Sequence, residues 1–156
     1  MRDALADEGL PVNLAVSLHA ADDQTRGAIM PINRKWGIDE VLAASARYVA
    51  RTKRRVTFEY VLLAGVNDSP QDARKLARLV AGVKSKVNLI PLNAAPGIPF
   101  ERPSDEVIDR FATIVADHGV TVSVRKSRGR DIRAACGQLI VEGPKQSAAQ
   151  QLAVVI

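Results

Sequence analysis

Four short apolar runs alternate with amphipathic stretches along this chain, and that alternation constrains the fold more than any other feature. The runs occupy residues 12–16, 56–62, 87–92 and 120–124. They are too short for buried helices, and their near-continuous apolar character is that of strands covered on both faces. Between them, Ile38, Val41, Leu42, Ser45, Tyr48 and Val49 share one face at helical spacing. Leu76, Ala77, Val80 and Val83 form a second stripe, and Val107, Ile108, Phe111, Ile114 and Val115 a third. The helix ends are marked as well. Asp68 or Ser69 can cap a helix with Pro70 in its first turn, and Ser104 another with Asp105 and Glu106 at the positive end of the helix dipole. Gly119 is placed to stop the third.

Strand and helix in regular succession imply repeated βα units, a parallel sheet and the α/β class. Four strands are too few to close an eight-stranded barrel. The pattern fits either a small open α/β domain or part of a barrel whose remaining strands lie outside this sequence.

Composition narrows the partners. The 156 residues can bury a core, and a net charge of +5 suits an anionic partner. No apolar run approaches the roughly 20 residues of a membrane span. The start, MRDALADEGLPVN, is acidic and polar, unlike a signal peptide, so a cytoplasmic protein is expected. A single cysteine excludes an internal disulfide and any multi-cysteine metal site. Aromatic residues make up only 4%, which argues against a platform of stacking rings and leaves phosphate contacts to hold any RNA.

In parallel βα architectures ligands bind at the carboxyl ends of the strands. That rule selects SLHA, AGVND, NAAPGIPFERP and RKSRGRDIRAACGQL. It sets aside Arg51, Lys53, Arg54 and Arg55, and also Lys84 and Lys86, as a solvated surface at the opposite end. Ser17 and His19, alternating with Leu18, can point into one pocket, or can simply cap the strand. Asn93 offers a donor and an acceptor ahead of a stiff Pro- and Gly-rich loop, or only shapes the turn. Arg125, Lys126, Arg128, Arg130 and Arg133 form a cationic cluster suited to phosphate oxygens. Cys136 follows, between small neighbours. Cations nearby favour its thiolate, although a lone cysteine also serves as a small buried hydrophobe.

Six blocks, SLHA, MPINRK, VTFEYVLLAGVND, KVNLIPLN, PGIPFERP and RGRDIRAACGQL, occur in this order. Together they resemble the C-terminal part of bacterial radical-SAM methyltransferases that modify C2 of adenine in 23S rRNA. The resemblance spans residues 11–139 and rests on the combination, since each block alone is weak. It implies the C-terminal portion of a radical-SAM partial (β/α) barrel over residues 1–141; beyond that, Gly143-Pro144 breaks regular structure and residues 142–156 are expected to be a disordered tail. It implies that Ser17, Leu18, His19 and Asn93 bind S-adenosylmethionine and that Cys136 carries the methyl group as S-methylcysteine. It implies 23S rRNA, and tRNA, as substrates, an electron donor, and the missing N-terminal half of the same enzyme as partner.

The Cys-x-x-x-Cys-x-x-Cys segment that ligates the family's [4Fe-4S] cluster is absent here, so the chain alone is expected to be inactive. A non-catalytic basic RNA-binding remnant, or the related enzyme acting at C8 of adenine, are the alternatives. An unrelated barrel half would need a lysine or acid at a strand end, for which Lys126 is the nearest candidate.

Overall fold

The computed structural model describes residues 7–9 and 11–126. Cys136, Arg128, Arg130, Arg133 and the expected tail lie outside the described residues. Strands β1 (Ala15–Ser17), β2 (Val56–Leu62), β3 (Ser85–Pro91) and β4 (Thr121–Val124) form one parallel sheet in the order β1-β2-β3-β4. The helices are α1 (Asp23–Ile29), α2 (Ile38–Thr52), α3 (Pro70–Val80) and α4 (Asp105–Asp117), with a 3₁₀ turn at Pro31–Arg34. Each strand is beside its sequence neighbour and every pairing is parallel, so all four carboxyl ends fall on one edge. The expected parallel sheet with alternating helices is what forms.

Three helices pack on one face. Val56, Phe58, Tyr60 and Leu62 of β2 and Val87 and Leu89 of β3 meet Val41 and Tyr48 of α2, Leu76 and Val80 of α3, and Phe111 and Val115 of α4. Tyr60 and Phe111 lie with ring centroids 5.3 Å apart, tilted by 36°. The helix starts follow local chemistry. Ser69 caps α3, and Asp72 returns the bond in a capping box. Ser104 caps α4. Asp68 instead accepts from the Gly65 amide.

Helix α2 begins at Gly37, which has no side chain to cap it, and Asp23 accepts the Ile38 amide at 2.9 Å in its place. A Cβ on Gly37 would meet that carboxylate at 3.3 Å, so the glycine makes room for a cap supplied by α1.

The other face departs from expectation. The strands are not covered on both sides among the described residues. Ser17, Glu59, Asn88 and Ser123 are in one register row across all four strands, on the face away from the helices. Thr57, Lys86 and Thr121 occupy the row before it. Polar side chains alternate with the buried ones because successive residues of a strand point to opposite faces.

The boundaries shift too. β1 starts at Ala15 rather than Val12: the Val12 carbonyl accepts from the Tyr48 hydroxyl of α2, and the bond from the Thr57 amide of β2 to the Leu14 carbonyl is where the pairing begins.

Candidate functional site

The segment that ends β1 does not continue the strand alternation. Ser17 is half-buried on the open face, but Leu18 is fully buried in the core and His19 turns into the left-handed region at φ 59. That conformation is uncommon for a residue with a Cβ. It is held by three contacts. The Nδ1 of His19 accepts from the Val61 amide at 3.0 Å, its carbonyl accepts from Asn67 at 2.8 Å, and its own amide donates to the Glu59 carbonyl at 3.3 Å. An acceptor Nδ1 leaves the proton of the neutral ring on Nε2. Burial, with the Arg26 charge second, lowers the imidazole from 6.5 to about 4, so His19 is uncharged near neutral pH.

Two buried residues shape this end of the sheet, and sequence reading assigned neither of them a role. Arg26 is 3% exposed. Its guanidinium donates to the Leu18 carbonyl (3.0 Å), the Ser17 carbonyl (3.2 Å), the Asn33 side chain (2.7 Å) and the Trp36 carbonyl (3.0 Å). One fork thus ties the end of β1 to the turn before α2. Asn67 does the same between β1 and β2. Its amide nitrogen donates to the His19 and Val61 carbonyls, while its Oδ1 accepts from the Leu63 amide. The Tyr60 hydroxyl donates to the Asn67 carbonyl at 2.7 Å, and burial drives that phenol well above its ordinary range. Breaking such a network leaves buried carbonyls unsatisfied, at about 1–3 kcal/mol each.

A second apolar cluster floors the carboxyl edge. Ile29, Met30, Leu63 and Leu92 are buried together, with Ile98 and Phe100 packed against them. The Ala64 amide donates to the Glu101 carbonyl, which fastens the long loop after β3 to the end of β2. Asn93, two residues past β3, is half-buried at this edge. Arg125 continues β4 by donating its amide to the Leu89 carbonyl, and it and Lys126 are exposed.

The structure therefore gathers Ser17, His19, Asn93, Arg125 and Lys126 at one edge, beside a polar sheet face that includes Glu59. Leu18 is fully buried, its amide donates to the Glu59 carbonyl and its carbonyl accepts from Arg26, and His19 is buried beside it. A groove of about 220 Å³ between the start of α3 and α4, lined by Asp68, Pro70, Arg110 and Phe111 among others, includes none of these strand-end residues.

The fit to S-adenosylmethionine can be judged from these groups. A cationic sulfonium with hydroxyls and an amide-reading base suits a hydroxyl, an amide and a half-buried carboxylate. The iron–sulfur cluster does not fit. Among the described residues no group of three or more His, Cys, Asp or Glu side chains converges, and the whole sequence holds one cysteine. Among the described residues no helix is long and apolar enough to cross a membrane.

Comparison with known proteins gives the following. No family model matches the chain. It is 53% identical over 136 residues to the dual-specificity RNA methyltransferase RlmN of Anaeromyxobacter sp., a match that covers 87% of this chain and 36% of that protein. The same-named protein of Rhodospirillum rubrum is 58% identical over 131 residues, covering 83% of this chain and 31% of its own length. A crystal structure of a radical SAM methyltransferase from Sphaerobacter thermophilus superposes with a TM-score of 0.85 at 55% identity, over 88% of this chain and 40% of that one. A domain of a pyruvate-formate lyase-activating enzyme from Bacteroides vulgatus shares the fold, with a TM-score of 0.63 at 17% identity. The chain spans roughly a third of the length of the two curated relatives named above.

Proposed function

We propose that this chain, which over the part it spans belongs to the radical-SAM RNA methyltransferase family, provides the cofactor-binding and RNA-facing portion of an enzyme that methylates C2 of adenine in 23S rRNA and in tRNA. One observation carries the reading. The four parallel strand ends bring Ser17, His19 and Asn93 to the same edge as Arg125 and Lys126, which supports a cofactor site next to a phosphate-binding surface.

In this reading Ser17 and Asn93 contact S-adenosylmethionine, which supplies an electrophilic methyl group when bound, and the buried Leu18 and His19 fix the strand end that holds it. The Ser17 hydroxyl and Asn93 amide orient it. The neutral His19 ring adds no charge against its sulfonium. Glu59, half-buried beside Ser17, favours a cationic ligand by Coulomb attraction. Cys136 is the residue assigned to receive the methyl, its thiolate favoured by the arginines that precede it in sequence. Arg125 and Lys126, with Arg128, Arg130 and Arg133, hold the phosphates of the RNA.

With a single cysteine, this chain cannot by itself ligate an iron–sulfur cluster. The chain alone is therefore proposed to be inactive, and a cluster-binding portion and an electron donor are its required partners.

The test is transfer of labelled methyl from S-adenosylmethionine to RNA, with the adduct position read by mass spectrometry of the nucleosides. The isolated chain is expected to transfer none. Supplied with the cluster-binding portion of a relative, it is expected to label C2 of adenine, and Cys136→Ala to abolish labelling while RNA binding persists. Turnover by the isolated chain would overturn the proposed inactivity. Label at C8 would favour the related regiochemistry, and undiminished labelling by the Cys136→Ala variant would remove Cys136 from the mechanism.

A further inference from the structure

Trp36 is the chain's single tryptophan and is 43% exposed, one of three large apolar side chains left open among the described residues. Its backbone is nevertheless tightly held. The Trp36 amide donates to the Ile32 carbonyl at 3.1 Å, and its carbonyl accepts from Arg26 at 3.0 Å. Asn33 in the same turn is gripped by Arg26 and donates to the Asp23 carbonyl. An indole presented to solvent from a fixed turn is a costly arrangement for a soluble chain, since so large an apolar group gains most by burial.

Its surroundings specify what would cover it. Arg34 and Lys35 are exposed beside it, and among the described residues neither forms a salt bridge. The Lys35 ammonium stands 4.4 Å from the centre of the indole ring, a cation–π contact that occupies one face of the ring. The exposed part of the indole leaves surface on which a flat, uncharged ring can lie. The Arg26 fork that holds the Trp36 carbonyl also holds the Ser17 and Leu18 carbonyls, so the backbone at Trp36 lies within one guanidinium of the end of β1.

We propose that Trp36, flanked by Arg34 and Lys35, is a stacking site for an unpaired nucleobase of RNA, placed against the strand-end site. Stacking on an aromatic ring is tolerant of base identity, and the flanking cations hold the adjoining phosphates. A single ring is compatible with the low aromatic content, because one base next to the reacting position needs one platform. The inference rests on the reading that RNA is the substrate. A protein surface is the less fitting occupant, because two flanking cations that form no salt bridge among the described residues match a polyanion.

The experiment uses the full chain and a short adenine-containing single-stranded RNA carrying an end-label. Binding is followed by anisotropy of the label, and stacking by the tryptophan emission, all of which comes from Trp36. Saturable quenching is expected with the same midpoint as the anisotropy change. Trp36→Ala is expected to weaken binding about tenfold, and Trp36→Phe to retain most of it. The unfolding midpoint of Trp36→Ala should stay close to that of the parent, because the indole is exposed. RNA binding with no change in emission, and with undiminished affinity of Trp36→Ala, would overturn the stacking site and leave the RNA reading intact. No anisotropy change at all would overturn both. Weakened association of Trp36→Ala with the cluster-binding portion of a relative, with RNA affinity unchanged, would reassign Trp36 to a protein contact.

Discussion

The imidazole of His19 accepts the Val61 amide and is enclosed by the ends of β1 and β2, so protonation would turn an acceptor into a donor facing an N–H. Folded, the ring takes a proton only near pH 4, whereas unfolded it does so near 6.5. Between those values the unfolded chain holds more protons, so stability rises with pH across that window. The contribution is complete above 6.5 and lost as the pH falls to about 4, amounting to about 3 kcal/mol. Asp22 is also shifted, downward by the Thr25 amide bond, but it titrates below the ordinary carboxylate range and acts at lower pH. Urea unfolding between pH 4.5 and 7 should show a slope in the parent that flattens in His19→Asn. Asparagine tolerates the left-handed backbone and can accept from Val61 through its side-chain oxygen. An equal slope in both proteins would show that the proton uptake lies elsewhere.

Among the elements, α3 is the one whose start is most completely determined locally. The Ser69 hydroxyl accepts the Asp72 amide at 3.1 Å, and the Asp72 carboxylate accepts the Ser69 amide at 3.2 Å. Ser69→Ala removes one half of the box and is expected to cost about 1 kcal/mol in chemical denaturation; an effect near zero would mean that water replaces the cap at no loss. Caps of this kind were legible in sequence because donor and acceptor are three residues apart. The core faces of α2, α3 and α4 were legible for a similar reason, since periodicity is local. Helix α1 was not, because DQTRGAI carries a single large apolar residue, Ile29, and no stripe. Nor was Arg26, whose partners are carbonyls and an amide 7 to 10 residues away, a distance at which sequence gives no pairing signal. The polar row was visible in the alternation of VTFEYVL, but its meaning depended on which face the helices would take. Ser17, His19 and Asn93 were candidates from strand ends and motif, while the left-handed turn that separates His19 from Leu18 required the structure.

At the scale of the molecule, the sheet is asymmetric in two ways. Its helix side is a continuous core, whereas its other side carries Ser17, Glu59, Asn88 and Ser123 in a row that no described residue covers with apolar packing. Parallel sheets are ordinarily enclosed on both faces, and inside a barrel such rows are layered against side chains from further strands. The pairing is also uneven. β2 and β3 share seven residue pairs, while β1 is joined to the sheet by three and β4 by four. Local opening is easiest where few bonds and little apolar packing resist it. Amide hydrogen exchange of the chain should therefore be slowest in β2 and β3, with β1 and β4 exchanging faster by about 100-fold or more. Adding the cluster-binding portion of a relative should slow exchange in β1 and β4 selectively, because the proposed partner would close over the bare face and the outer strands. Uniform protection of all four strands in the isolated chain would mean that the face is already covered, and the requirement for a partner to complete the sheet would lose its physical basis.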